Sequence, residues 1–373
     1  MTAMSSWLTT WTCSDSLKDP LINSGQQFDV TAAIVNYGNC RDTVELVKKI
    51  ESQVKKIIVV DNSNDIDSNH ALHEKADVIT PLKNIGFGAA VNLAANHAES
   101  RWLLILNPDV RLRRNCLKHL VAASVDLNTP LCGPRFYWDD ACTLQLPPAL
   151  GHPLWLLSDR HTPNTNLADM PDLSAMAVAR HERYWKEQAS FSEPVLAGAC
   201  LLVDNFWFRK NNMPIFDEDF FLYYEDTDLC ARLMRKGIMP VCVAQASAVH
   251  YWNQSAEPPE GKADLMQASE KIFMEKYYPN GAPPLPRAEH EQEFTEIGTF
   301  TSPLALILPT NTCHLDIGVQ KDFIVFARAS IEQHSFTFSQ AMWKRLRQGN
   351  YYFRASDKDG KAIQYWSWTK GSE

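Results

Sequence analysis

The sequence predicts an α/β protein: a doubly wound, mostly parallel sheet with flanking helices, followed by a small C-terminal β-rich appendage. Strand and helix patterns alternate along the first part of the chain, as they do in doubly wound sheets. The segment KKIIVVDN (55–62) is β-branched and apolar on both faces, which is typical of a strand inside a buried parallel sheet. Beyond 287 only short strand patterns occur, separated by turns such as Asp359-Gly360.

Each element follows from its own pattern. DVTAAIVNY (29–37) predicts the first strand, and RDTVELVKKIESQ (41–53) predicts a helix, because Val44, Val47 and Ile50 recur at helical spacing. After the strand at 55–62, the same reasoning predicts strands at 76–81, 101–110, 131–138, 194–203 and 239–252, and helices at 87–98, 113–125, 174–188 and 262–277.

The chain divides into three predicted parts. Residues 1–27 are polar and aperiodic, so we expect a poorly ordered arm. Residues 28–278 form the main domain, in which the proline-rich stretch 139–193 is an insertion. The break YYPNGAPPLP (277–286) predicts a boundary, after which 287–373 form a small β-rich C-terminal domain.

Composition narrows the class of protein. The net charge of −8 argues against nucleic acid as a partner, because binding phosphates requires a basic face. Nine scattered cysteines without a C-x-x-C pair favour a reducing compartment with buried thiols. The start of the chain does not resemble a signal peptide, and the longest apolar run, 195–203, is far too short to span a membrane. We therefore expect a cytoplasmic protein.

Polar side chains gather at the ends of the predicted strands. Asn36 follows the first strand, Asp61 and Asn62 end the second, and Asn107 and Asp109 close the fourth. Ligands of doubly wound sheets bind at these carboxyl ends. Turn chemistry alone also places Asp and Asn at strand ends. Turn chemistry explains any one of these positions, but it explains less well why all of them fall at the same end of the sheet. The set as a whole therefore favours a ligand site.

One stretch of the sequence places acidic residues on both sides of a run of large apolar residues. The stretch FDEDFFLYYEDTDLCARLMRKG (216–237) sets six carboxylates around five adjacent large side chains. A bound cation or a reacting hydroxyl group would explain this arrangement, and so would an acidic helix start after a buried strand. Glu225 and Asp226 fall at the predicted helix start, where the helix dipole favours ionised carboxylates. Gly237 is the expected end of that helix.

Six motifs together resemble a known family. IVNYGN, IIVVDNSND, NIGFGAAVN, LLILNPDV, AGACLLV and the acidic stretch that precedes VHYW occur in that order. The chain is similar over about residues 28–275 to the family 2 glycosyltransferases of the GT-A fold, especially the rhamnosyltransferase-like branch. The resemblance implies an inverting enzyme that moves a hexose from a nucleoside-diphosphate sugar to an acceptor hydroxyl.

The resemblance also implies a divalent cation, Mn²⁺ or Mg²⁺, bound by Asp109 and His250. In the family an acidic D-x-D motif ends the fourth strand, whereas this chain has Asn107-Pro108-Asp109 and so supplies one carboxylate there. A histidine at a strand end is also often structural. Hard oxygen ligands suit either cation.

Donor binding and catalysis are implied in the same way. The implied donor residues are Val35, Asn36, Asp61, Asn84, Gly86 and Asn107. Asp226 is the implied general base, with Glu225 as the second choice. One base opposite a leaving diphosphate gives a single displacement and inversion, unlike the paired carboxylates of hydrolases.

The expected partners are a nucleotide sugar and a glycan or lipid-linked glycan acceptor of bacterial surface polysaccharide synthesis. We expect the insertion 139–193 on the acceptor side, where its aromatic segment 151–161 either touches a lipid-linked acceptor at the membrane surface, with peripheral association of the protein, or equally forms a core segment. Tyr365, Trp366 and Trp368 could form a sugar-binding or homo-oligomer face, or fill a β core.

A non-catalytic nucleotide-sugar-binding or scaffold subunit is the alternative function. An NAD-dependent oxidoreductase would need G-x-G-x-x-G where this chain has NYGNCR (36–41).

Overall fold

The computed structural model describes residues 27–67, 70–151, 173–252, 254, 261–281 and 292–372. The expected N-terminal arm therefore lies outside the described residues except for Gln27. The middle of the 139–193 insertion, with nearly all of the aromatic segment 151–161, lies outside them too.

The described residues form strands and helices that alternate first and then give way to strands. The strands are β1 (Phe28–Asn36), β2 (Val54–Asp61), β3 (Asp77–Ile79), β4 (Trp102–Leu106), β5 (Val110–Leu112), β6 (Leu131–Tyr137), β7 (Leu144–Gln145), β8 (Phe191–Ser192), β9 (Cys200–Asp204), β10 (Val241–His250), β11 (Thr295–Phe300), β12 (Ala305–Ile307), β13 (His314–Gly318), β14 (Phe326–Ser330), β15 (Ser335–Thr337), β16 (Gly349–Ser356) and β17 (Ala362–Lys370). The helices are α1 (Cys40–Ile50), α2 (Phe87–His97), α3 (Cys116–Asp126), α4 (Leu173–Lys186), α5 (Asn205–Lys210), α6 (Glu225–Met234), α7 (Lys262–Tyr277) and α8 (Gln340–Arg345), with a 3₁₀ turn at Ala71–Glu74.

The core of the sheet is mostly parallel, as predicted. Strands β3, β2, β1 and β4 lie side by side in that order, and every pair is parallel. β9 runs antiparallel between β4 and β6, and β10 then pairs in parallel with β6. The carboxyl ends of β1, β2 and β4 therefore meet at one edge, which is where ligands bind in such sheets.

Helices cover both faces of this core, which makes the sheet doubly wound. Leu46, Val47 and Ile50 of α1 are buried in one apolar cluster with alternate residues of β1. Ala90 and Val91 of α2 are buried in the other cluster, with the opposite face of β1. Each large aliphatic side chain buried this way contributes about 1.5–3 kcal/mol relative to exposure.

The predicted strand at 101–110 is two strands instead of one. β4 ends at Leu106, the chain turns through Asn107-Pro108, and β5 begins at Val110. Proline cannot donate a ladder hydrogen bond, so the strand breaks there. β5 then pairs antiparallel with the end of β10, which sets Val110 opposite His250.

The C-terminal strands are present and extend the same sheet. β13, β14, β16 and β17 are antiparallel neighbours. β14 joins the core through β7, where Arg328 pairs with Gln145 and Ala329 with Leu144. Asp316 is fully buried and accepts hydrogen bonds from Arg328 Nε at 2.6 Å and Arg354 Nε at 2.9 Å. The boundary at 277–286 stays a prediction, because 282–291 lie outside the described residues.

Two further expectations concern side chains and membranes. Trp366 and Trp368 are buried in the C-terminal core. Of the two expectations for these aromatic residues, the burial agrees with the one in which they fill a β core. The cysteines of the described residues are free thiols, and most of them are buried. Among those residues, no helix is both long enough and apolar enough to cross a membrane.

Candidate active site

A cleft of about 580 Å³ opens at the carboxyl edge of the core strands. Eight of the ten residues expected from the sequence line it: Val35, Asn84, Gly86, Asn107, Asp109, Glu225, Asp226 and His250. They come from segments far apart in the chain, and the parallel sheet brings those segments to one edge.

Asp109 and His250 form a close pair in this cleft. His250 Nε2 lies 3.6 Å from Asp109 Oδ1. The pairing of β5 with β10 sets the two segments side by side, and the Tyr251 N–H donates to the Asp109 carbonyl at 3.2 Å. The His250 ring also packs against Phe136, with ring centres 5.6 Å apart. Both side chains are therefore held by the sheet.

The pair could supply two ligands to a divalent cation. Within the described part of the chain, no group of three or more His, Cys, Asp or Glu residues could hold a metal. Ligands at neighbouring octahedral positions around Mg²⁺ lie about 3 Å apart, so the 3.6 Å spacing suits two of them. Such cations usually take their remaining ligands from substrate phosphates and water.

Asp226 is held at the start of α6 by backbone hydrogen bonds. Its Oδ2 accepts from Gly198 N at 2.8 Å, and its Oδ1 accepts from Thr227 N at 2.6 Å. Burial raises the pKa of Asp226 above its ordinary value of 3.8, although these hydrogen bonds oppose the rise. The preceding residues, Tyr223 and Tyr224, both have positive φ, 71° and 65°. That strained turn sets the direction in which the helix starts.

Glu225 has a different environment from its neighbour. Burial, together with the charge of Asp226, raises the pKa of Glu225 to about 8. Its Oε2 atom is buried and has no hydrogen-bond partner among the described residues. A carboxyl group in that position is mainly protonated at neutral pH.

A short backbone path connects Asp226 to the Asp109–His250 pair. Gly198 N donates to Asp226, and the next residue, Ala199, accepts from Asn107 N at 2.9 Å. Asn107 is two residues from Asp109. All of these residues line the same cleft. The structure therefore brings Asp109, His250 and Asp226 together, as expected.

The loop before α2 approaches the acidic stretch closely. Gly86 has φ 85° and ψ 169°, a conformation that is essentially restricted to glycine. A Cβ atom there would lie 2.6 Å from the Phe221 carbonyl oxygen. Asn62 Nδ2 donates to Gly86 O at 3.0 Å, and Asn84 Oδ1 accepts from Gly86 N at 3.0 Å. These side chains hold the loop against the cleft.

Asn36 and Asp61 lie beneath the cleft and do not line it. Both are buried, and Asn36 Nδ2 donates to Asp61 Oδ1 at 2.9 Å. Asp61 Oδ2 also accepts from Ile66 N at 2.9 Å. Burial raises the pKa of Asp61, but the hydrogen bonds outweigh it and hold the pKa below 3.8. Their neighbours Tyr37 and Asn62 line the cleft instead.

The C-terminal region also contributes to the wall. Val319, Arg345, Leu346, Arg347 and Tyr351 line the cleft. Sequence reasoning did not assign them to the site. The basic run KRLR (344–347) was the available signal, but a charge run usually marks a solvated surface.

Part of the chain matches the model of a known family. Residues 32–184 match the model of glycosyl transferase family 2. A relative from Haloferax volcanii, the low-salt glycan biosynthesis hexosyltransferase Agl10, is 23% identical over 216 residues. That match covers 56% of this chain and 63% of the relative, so the chain spans less than two thirds of its length.

Solved structures of glycosyltransferases are similar at low identity. GalNAc-T7 with UDP, GalNAc and Mn²⁺ aligns with a TM-score of 0.47 and 15% identity, covering 66% of this chain and 47% of that one. The Pyrobaculum calidifontis mannosyltransferase PcManGT, with GDP-Man and Mn²⁺, aligns with a TM-score of 0.43 and 14% identity, covering 74% and 72%.

Proposed function

We propose that this chain, whose residues 32–184 match the model of glycosyl transferase family 2, transfers a hexosyl group from a nucleoside-diphosphate sugar to a hydroxyl group of a glycan acceptor. The observation that carries the proposal is that a half-buried, hydrogen-bonded carboxylate shares one cleft with an acid–imidazole pair. A general base and a site for a diphosphate-bound cation would each assist an inverting transfer.

Asp109 and His250 would hold the divalent cation, Mn²⁺ or Mg²⁺. When bound, the cation neutralises charge on the departing diphosphate. The role of this chain is to present the two side chains at a fixed spacing, which the β5–β10 pairing does. Asn107 lies on the same turn and lines the donor side of the cleft.

The donor nucleotide would occupy the edge formed by β1, β2 and the loop before α2. Val35, Asn84 and Gly86 line this part of the cleft, and glycine allows the nucleotide to approach the backbone. Asn36 and Asp61 would act from below, because their mutual hydrogen bond fixes the two strand ends that carry Tyr37 and Asn62.

Asp226 is the proposed general base. Its carboxylate accepts backbone hydrogen bonds, which stabilise the ionised form, while burial raises its pKa and makes it a better proton acceptor. Glu225, with its pKa near 8, is mainly protonated at neutral pH and is better suited to donate a hydrogen bond. Removal of the acceptor proton on one face and departure of the diphosphate on the other would invert the anomeric centre.

The finer assignment follows the sequence resemblance. We propose deoxythymidine-diphosphate rhamnose as the donor, with UDP-galactofuranose or another UDP-sugar as the next choice. The acceptor would be a glycan or lipid-linked glycan of a surface polysaccharide, met in the cytoplasm or at the inner face of the membrane. Association of copies through the C-terminal region belongs to the same proposal.

The test is product release from a panel of sugar nucleotides with Mn²⁺ or Mg²⁺. We expect one donor to yield its nucleoside diphosphate, and we expect Asp226→Asn to lower that rate by about 10²–10⁴-fold with donor affinity near that of the wild type. Turnover by Asp226→Asn at the wild-type rate would exclude Asp226 as the base. Tight donor binding without turnover, across the panel and with acceptors supplied, would favour the non-catalytic alternative.

A further inference from the structure

We propose that Arg345, the last residue of α8 in the C-terminal region, binds the diphosphate group of the donor. The inference rests on the proposed function, because it assigns a phosphate-binding group to the same cleft. It gives the C-terminal region a direct role in recognising the substrate.

Arg345 packs on Tyr251, the residue that follows His250 of the proposed metal pair. Its guanidinium carbon is 3.6 Å from the centre of the Tyr251 ring. Tyr251 follows His250 in the chain, and its backbone N–H donates to the Asp109 carbonyl at 3.2 Å. The guanidinium therefore packs on the residue that joins the two proposed ligands, where a metal-bound diphosphate would lie.

The guanidinium keeps donors available for a ligand. It has five N–H donors in a planar fork, which matches phosphate oxygens. Within the described residues its side chain makes two hydrogen bonds, both long, to Asp42 at 3.4 and 3.5 Å. Asp42 also accepts a shorter bond, 3.0 Å, from Arg111. The pairing with Asp42 thus leaves most of the fork unused.

The position of Arg345 is fixed before any ligand arrives. The Tyr251 ring supports its guanidinium, and Gln254 Nε2 donates to its backbone carbonyl at 3.1 Å. Its side chain is about a quarter exposed, 25%, and lines the cleft. A cation held in place in this way loses little conformational entropy when it binds an anion.

The charge balance of the cleft calls for such a group. Three carboxyl groups line it, those of Asp109, Glu225 and Asp226, and the Glu225 group, with its pKa of about 8, is mainly protonated at neutral pH. A diphosphate adds further negative charge, so cationic side chains on the wall are needed to offset repulsion. Arg345 supplies one beside the metal pair, and Arg347, two residues later, also lines the cleft.

The experiment measures nucleotide affinity in the full chain by calorimetry, with deoxythymidine diphosphate and thymidine as probes, and with uridine diphosphate and uridine in parallel. We expect Arg345→Gln to weaken diphosphate binding by about 10–100-fold, the range for hydrogen bonds to charged groups. Binding of the uncharged nucleosides should not change. Lys344→Gln is the matched control, because Lys344 is exposed and its substitution removes the same charge from the position next to Arg345. This variant should bind the nucleoside diphosphates like the wild type.

A second variant separates ligand binding from a structural role. Asp42→Asn removes the charge that Arg345 contacts while keeping the size of the side chain, so it should leave diphosphate affinity unchanged or raise it. Arg345→Lys should restore part of the affinity lost in Arg345→Gln, since it restores charge without the planar fork. An equal loss in Asp42→Asn and Arg345→Gln would show that Arg345 only holds the wall, and the inference would fail.

The outcomes also distinguish this inference from the proposed function. Unchanged diphosphate affinity in Arg345→Gln overturns the inference even if the wild type transfers sugar. If that variant instead raises KM only for a phosphate-bearing acceptor, the guanidinium serves the acceptor and the donor assignment is wrong. A wild type that turns over no donor contradicts the proposed function, while its diphosphate affinity still reports on Arg345.

Discussion

Asp226 and Asp228 lie two residues apart on α6, yet their carboxylates have entirely different partners. Asp226 lines the cleft and accepts from Gly198 N at 2.8 Å. Asp228 is fully buried and pairs with Lys276 and Arg232, each at 2.6 Å, and with the Tyr277 hydroxyl at 2.7 Å. One carboxylate is available to a substrate, whereas the other fastens α6 to α7.

This difference predicts that the same substitution lowers the free energy of unfolding by very different amounts at the two positions. Asp228→Asn removes one charge from a buried network and should lower the free energy of unfolding by about 3–5 kcal/mol. Asp226→Asn should cost much less stability, and relief of the buried charge could offset the loss of hydrogen bonds. Urea unfolding of both variants checks the prediction, which similar losses in the two proteins would refute.

Removal of either proposed metal ligand should weaken nucleotide binding only when the cation is present. We expect Asp109→Ala and His250→Ala each to lower the affinity for nucleoside diphosphate in Mn²⁺, and to match the wild type in a chelator, because two protein ligands hold the ion. Calorimetric titrations in the two buffers provide the measurement. Asp139→Ala is a suitable control, because that buried carboxylate binds Thr143 and Leu144 outside the cleft. Titrations of Asp109→Ala that match the wild type in Mn²⁺ would count against this role.

The raised pKa of Glu225 predicts a pH-dependent stability. Its pKa is about 8 in the folded protein and 4.5 in the unfolded chain, so the unfolded chain releases this proton first. The contribution of Glu225 to the free energy of unfolding is therefore fully present below pH 4.5. It is lost as the pH rises from 4.5 towards 8, because over that range only the unfolded chain gives up the proton. Glu225→Gln removes the effect, and should be more stable than the wild type at pH 8 by at most about 3–5 kcal/mol, with little difference at pH 4.5. Unfolding curves at both pH values test this; a constant difference would contradict it.

Gly86 should tolerate no side chain. Gly86→Ala forces a glycine-only backbone conformation on alanine and sets a Cβ 2.6 Å from the Phe221 carbonyl. We expect a loss of at least about 2–3 kcal/mol of stability, together with weaker donor binding, because the loop must move. Gly237→Ala is the control: its φ is also positive, 75°, but nothing lies within 4 Å of the added atom. It should cost about 1 kcal/mol and leave binding intact. Equal losses at the two positions would exclude the Phe221 contact as the cause.

The meeting of Asp109, His250 and Asp226 was expected from the family resemblance, and a regular rule of sheet structure explains only the part that concerns strand ends, because Asp226 lies at the start of a helix. Parallel strands send their carboxyl ends to one edge, so residues placed there by pattern converge. The burial of Asn36 and Asp61 could not be anticipated, since it depends on which strand-end side chains bond to each other. Turn chemistry identifies the polar residues but not the direction in which they point.

The sequence also did not reveal that the C-terminal region forms part of the cleft wall. Arg345 lies at the cleft through contacts with residues that are distant in the chain, Tyr251 and Asp42, and the C-terminal strands join the core sheet where β14 pairs with β7 over two residue pairs. No local propensity encodes so short and distant a contact. The strands themselves were predictable from alternation, whereas their attachment to the core was not.

That attachment bears on how small a working version of this protein can be. A fragment ending at Tyr278 would retain every carboxylate assigned to catalysis, and yet it would expose the backbone of β7 and lose one side of its substrate chamber. We therefore expect the region that matches the family, residues 32–184, to be neither stable nor active by itself, and we expect a minimal active fragment to extend past Tyr351.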